Sequence, residues 1–166
     1  ALDPKKTARG LLEVSWPGRF EVITEDHQVI VLDGAHNPSG ITSLVNALKS
    51  HPQCGQKPLI VLYGSLAGDN AREKVRLLHD NDLDVRGIFL HAPNNPRALP
   101  ITVLRNLLIE VGYGGQLIQD FHEWSAVIKQ AEQERAAIVV CGSLYTVGEL
   151  RALLLSIEMD EKPPNF

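Results

Sequence analysis

The sequence is poor in the features that mark several protein classes. It has two cysteines, Cys54 and Cys141, far apart and in neither a CxxC nor a Cys–His spacing. That argues against a disulfide framework or a thiolate metal site and leaves reduced cytosolic thiols. No apolar run approaches the length needed to cross a bilayer. The opening "ALDPKKTARG" has no apolar signal-peptide segment, and it lacks an initiator Met, which fits a piece of something longer. The catalytic loops are missing as well. "GSLAGDN" (64–70) is glycine-rich but lacks the GxxxxGK[ST] spacing that cradles phosphates, and no other segment supplies it. There is no GxGxxG after a strand, so nicotinamide binding has no fingerprint, and no GxSxG elbow. A net charge of −4 and a pI near 5.8 argue against a general nucleic-acid binder.

What is present is a regular alternation. The 166 residues suit one domain, and the 44% hydrophobic content is that of a soluble globular protein. "RFEVITEDHQVIVLDGA" holds two β-rich runs around a polar centre and predicts a hairpin. Its second run, Val29–Leu32, is continuously apolar, as expected of a strand covered on both faces. A helix follows, with Asn37 as N-cap, Pro38 in the first position, and Ile41, Leu44, Val45 and Leu48 on one face. Strands then recur at "PLIVLYG", "RGIFLHA", "GQLIQDF" and "AAIVVCG". The helices between them cover about 70–79, 100–111 and "HEWSAVIKQAEQER", and "TVGELRALLLSI" closes the pattern. Strands alternating with helices predict a three-layer α/β/α Rossmann-like domain. Its six-stranded sheet is mostly parallel, with the hairpin adding one antiparallel edge strand. The tail "DEKPPNF" reads as disordered.

In such sheets ligands bind beyond the carboxyl ends of the strands. Asp33 and His36, Ser65 and Asp69, His91, Asn94, Asn95 and Arg97, and Ser143 should therefore share one rim. Asp33 ends a strand, where it either accepts hydrogen bonds from a ribose or braces a turn. His36 precedes a helix N-terminus, where it either helps hold a carboxylate or phosphate or is a turn residue with a satisfied ring. Arg19, in "WPGRF", either pairs with phosphate or lies on the surface. Ser143, in "CGSLYTVGEL", either contributes to an anion site or is a plain N-cap.

Four segments in order, "WPGRFEVI", "VLDGAHNPSG", "PNNPRALP" and "CGSLYTVGELR", span nearly the whole chain. They resemble the C-terminal domain of the folylpolyglutamate synthase and dihydrofolate synthase branch of the Mur ligase superfamily. The resemblance implies an ATP-dependent ligase that activates a folate or dihydropteroate carboxylate as an acyl phosphate for attack by glutamate. Residues 1–14 would then be a linker from an absent N-terminal ATPase domain, 15–158 the C-terminal domain, and 159–166 a flexible tail. The P-loop and the Mg2+ ligands would lie in the absent domain, so this chain alone would be inactive. On the same resemblance Arg19 and Asp33 match positions that contact ATP, and His36 and Ser143 match positions that hold glutamate. A cytoplasmic monomer without nucleic-acid or membrane partners is implied. One departure stands out. Where the family often carries an acidic–Lys–Asp run, this chain reads "AGDNA" (67–71), without the lysine and with no catalytic role for Asp69. A stand-alone nucleotide-binding or regulatory module of the same fold is the alternative.

Overall fold

The computed structural model describes residues 16–25, 27–68 and 70–155. The proposed linker at 1–14, Asp69 and the tail at 159–166 lie outside them. The hairpin forms from β1 (Glu21–Glu25) and β2 (Gln28–Leu32), paired antiparallel. Then follow α1 (Pro38–Ser50), β3 (Leu59–Tyr63), α2 (Ala71–His79), β4 (Val85–Leu90) and α3 (Ile101–Val111). A short 3-10 turn leads into β5 (Ile118–Asp120), followed by α4 (Trp124–Glu134), β6 (Ala137–Cys141) and α5 (Leu144–Leu154). The six strands run in the order β1-β2-β6-β3-β4-β5. Every pairing except β1–β2 is parallel, so the expected single antiparallel edge strand is present.

The three central strands explain why the sheet needs both helical layers. The strands β2, β3 and β6 are almost wholly apolar, and alternate residues feed opposite faces. Val29, Val31, Val61, Tyr63, Val139 and Cys141 face a core completed by Ile41, Leu44 and Leu48 of α1, Val75 and Leu78 of α2, and Leu104 and Leu108 of α3. Ile30, Leu32, Ile60, Leu62, Ile138 and Val140 face the other way, onto Val127 and Ala131 of α4 and Val147 and Leu150 of α5. With each buried aliphatic side chain contributing about 1.5–3 kcal/mol, the sheet cannot be uncovered on either side.

Because β2, β6, β3 and β4 are parallel, their following turns gather at one edge. Helix starts are defined there by local chemistry. Asn37 is extended and its side chain accepts from the Gly40 N–H, with Pro38 in the first turn of α1. Ser143 does the same for α5, accepting from the Tyr145 N–H. Gly142 joins β6 to Ser143 at φ +99, and a Cβ there would lie 2.4 Å from the Gly64 carbonyl oxygen. Only glycine lets these two turns approach so closely.

Candidate functional site

The rim is built from the turn after β2 outward. The backbone of Asp33 is tied to the sheet by its N–H donating to Val140 O at 3.0 Å. Its carboxylate accepts twice from backbone: Oδ1 from the Ala35 N–H and Oδ2 from the Phe20 N–H, each at 2.8 Å. The second bond crosses to the start of β1. Phe20 sits in the left-handed region at φ 46, a conformation that costs a non-glycine residue about 1–2 kcal/mol. Asp33 therefore holds a strained residue next to Arg19. Gly34 reinforces the junction, its N–H donating to Gly18 O at 2.7 Å. Arg19 itself is exposed, and its guanidinium has no partner among the described residues.

His36 is half-buried, with Nδ1 2.8 Å from Gly34 O. That contact requires a proton on Nδ1, which leaves Nε2 as the ring atom available to another group. A neutral ring would accept from an ammonium at Nε2, and a protonated ring would donate to a carboxylate. Ser143 is 2% exposed and caps α5. Its hydroxyl can still donate while its oxygen accepts from Tyr145. The turns carrying His36 and Ser143 are joined directly, the Gly142 N–H donating to Ala35 O at 3.0 Å. All four candidate residues thus stand on two connected turns and the adjoining start of β1.

The other rim residues brace the edge. His91 Nε2 lies 2.8 Å from Glu149 Oε2, and Glu149 Oε1 accepts from the Asn94 N–H at 2.7 Å. Asn95 Oδ1 accepts from the Arg97 N–H, and the Arg97 guanidinium donates to Ala67 O. Arg151 of α5 grips Glu21 of β1 through Nε and Nη2, and Gly18 N–H donates to the same carboxylate. The Arg151 guanidinium, against a weaker opposing effect of burial, holds the Glu21 carboxyl below its ordinary range. Burial, followed by the nearby Asp33 charge, pushes the Cys141 thiol up to about 12. Among the described residues no group of three or more His, Cys, Asp or Glu gathers to hold a metal ion, and no helix is long and apolar enough to cross a membrane.

The principal residue that sequence reasoning missed is Lys74. It is fully buried, and its Nζ donates to Ser65 Oγ at 2.8 Å, His36 O at 3.0 Å and Gly142 O at 3.4 Å. A signal for its burial existed. In "AREKVRLLH" Lys74 stands four residues before Leu78 and next to Val75, on the inward face of α2. A charged residue there reads as solvated unless the space beneath Gly64 and Ser65 is known.

This is an α/β domain of the class that meets ligands on turns beyond the carboxyl ends of parallel strands. The family model "Mur ligase, glutamate ligase domain" matches residues 18–144, and the chain belongs to that family. It is 34% identical over 158 residues to folylpolyglutamate synthase of Lacticaseibacillus casei, covering 93% of this chain and 33% of that protein. It is 29% identical over 153 residues to dihydrofolate synthetase of Saccharomyces cerevisiae, with 84% and 35% covered. Among solved structures, folylpolyglutamate synthase of Thermotoga maritima aligns with TM-score 0.73 at 26% identity, covering 97% of this chain and 36% of that one. The bifunctional folylpolyglutamate synthase/dihydrofolate synthase of Yersinia pestis, complexed with AMPPNP and Mn ion, aligns with TM-score 0.68 at 29% identity, with 93% and 35% covered. The chain thus spans about a third of the length of these relatives.

Proposed function

We propose that this chain is the C-terminal, closing domain of a cytoplasmic, monomeric ATP-dependent folate–glutamate ligase, working with an N-terminal ATPase domain of the same parent chain. ATP would transfer its terminal phosphoryl group to a folate or dihydropteroate carboxylate, giving an acyl phosphate and ADP. The glutamate amine would then attack the acyl carbon, forming the amide and expelling phosphate. The P-loop and the Mg2+ ligands belong to the N-terminal domain in this reading. One observation carries the proposal: Asp33 and His36 stand three residues apart on a single turn, and Asp33 fixes the backbone next to Arg19. Arg19 and Asp33 would meet ATP, the carboxylate at the ribose. His36 and Ser143 would meet glutamate, near the first turns of α1 and α5. Bringing these groups in only on closure would stabilise the negative charge of the reacting state and exclude water.

Arg19 gives the cleanest test, because its side chain supports nothing else among the described residues. In the full-length parent, Arg19→Ala should raise the KM for ATP about tenfold or more, with the KM for glutamate within about twofold. His36→Ala should do the reverse. The two variants raising both constants equally would refute this division of roles. The 166-residue chain alone should neither hydrolyse ATP nor ligate glutamate, and addition of the N-terminal domain in cis should restore both activities. Glutamate-dependent phosphate release by the chain alone would refute the domain assignment.

A further inference from the structure

We propose that Lys74 is a positioning residue that fixes the glutamate-facing turns against each other; this rests on the ligase reading above. The argument begins with its placement. Lys74 comes from α2, which carries none of the four candidate contacts, yet its Nζ reaches the turns after three adjacent strands, β2, β6 and β3. Ser65 Oγ, His36 O and Gly142 O all accept from it. Among the described residues these three oxygens accept from it, and an ammonium group can donate to all three.

Two of those acceptors belong to the proposed glutamate contacts. His36 O is the carbonyl of the residue whose half-buried imidazole is one proposed glutamate contact, and Gly142 O belongs to the peptide that leads into Ser143. The Gly142 N–H already donates to Ala35 O, so the two turns are stitched once by backbone and a second time through Lys74. Ser65 supplies a floor. It is fully buried, its hydroxyl lies 3.4 Å from Leu66 O, and its own carbonyl accepts from the Leu99 N–H. The Lys74 ammonium group draws the His36 and Gly142 carbonyl oxygens toward a positive charge. Lys74 thus sets both the spacing of His36 and Ser143 and the sign of the potential around them. The ATP-facing side, Arg19 with Asp33, is braced through the Phe20 and Ala35 N–H groups. The effect should therefore be one-sided.

The test is Lys74→Met, which keeps the stem and removes the donors and the charge, alongside Ser65→Ala, which removes one acceptor. In the full-length parent, Lys74→Met should raise the KM for glutamate about tenfold or more while the KM for ATP stays within about twofold. Ser65→Ala should move the same constant in the same direction by a smaller factor. In the 166-residue chain, amide exchange at residues 35–37 and 142–144 should accelerate about tenfold in Lys74→Met, with the amides of β3 unchanged. Equal rises in both KM values, or an unchanged glutamate KM in the variants, would overturn the proposal. If Lys74→Met does not fold, Ser65→Ala decides alone. A wild-type parent that forms no amide from glutamate would instead refute the ligase reading, and the exchange measurement would still judge the brace.

Discussion

Replacing Asp33 by asparagine tests whether its carboxylate is a structural acceptor as well as the ligand contact proposed for it. The carboxylate presents two acceptor oxygens, and each takes one backbone N–H at 2.8 Å. An amide of the same shape has one oxygen and one NH2 group. Whichever way the introduced amide turned, either the Phe20 or the Ala35 N–H would face another donor. Asp33→Asn should therefore destabilise the chain despite being isosteric, and Asp33→Ala should do so by removing both acceptors. A hydrogen bond to a charged group contributes about 1.5–3 kcal/mol, less where water can substitute, and Asp33 is half-exposed. Two such bonds suggest a loss of about 2–4 kcal/mol in Asp33→Ala, and roughly half of that in Asp33→Asn. Releasing Phe20 from its left-handed conformation returns about 1 kcal/mol, which keeps the total near the lower end. At about 2–4 °C per kcal/mol for a domain of this size, Asp33→Ala should lower Tm by roughly 5–10 °C. Thermal unfolding followed by circular dichroism measures it. An Asp33→Asn variant as stable as the wild type would refute the brace, and would mean that any kinetic loss on the ATP side reports direct contact alone.

Two further outcomes follow from titration and burial. The Glu21 carboxyl is held below its ordinary value of 4.5, chiefly by Arg151, so it binds a proton less readily when folded than when unfolded. Its contribution to stability is present in full above about pH 4.5 and is lost as pH falls through the depressed folded value. Glu21→Gln should cost about 1–2 kcal/mol at about pH 7, with a gap to the wild type that narrows as pH falls through the depressed folded value, as denaturant melts across pH would show. Cys54 and Cys141 are both buried, and desolvation raises both thiols. A chromogenic disulfide reagent at about pH 8 should therefore find neither thiol in the native chain and both in guanidinium; rapid native labelling of Cys141 would contradict its packing under the rim.

The sequence by itself determined the layers. Continuous apolar runs at Val29–Leu32, 58–64 and 136–142, alternating with helical segments, read as strands, and the i, i+3, i+4, i+7 spacing of Ile41, Leu44, Val45 and Leu48 reads as one face of a helix. Asn37 with Pro38, and Ser143, marked helix starts by local chemistry that needs no partner distant in the chain. Parallel order then placed Asp33, His36 and Ser143 on one rim, because every carboxyl end of a parallel sheet points the same way. Tertiary structure alone decided how that rim is held. Asp33 meets Phe20 across 13 residues, Arg151 meets Glu21 across 130, and Lys74 meets Gly142 across 68. None of these pairs has a spacing that a period of about 2 or 3.6 could reveal. Their partners are largely backbone atoms, which every residue type carries alike. Lys74 shows the limit most plainly: a lysine on an amphipathic helix reads as solvated, and it takes the turns after three converging strands to supply, among the described residues, the oxygens that meet its buried ammonium group.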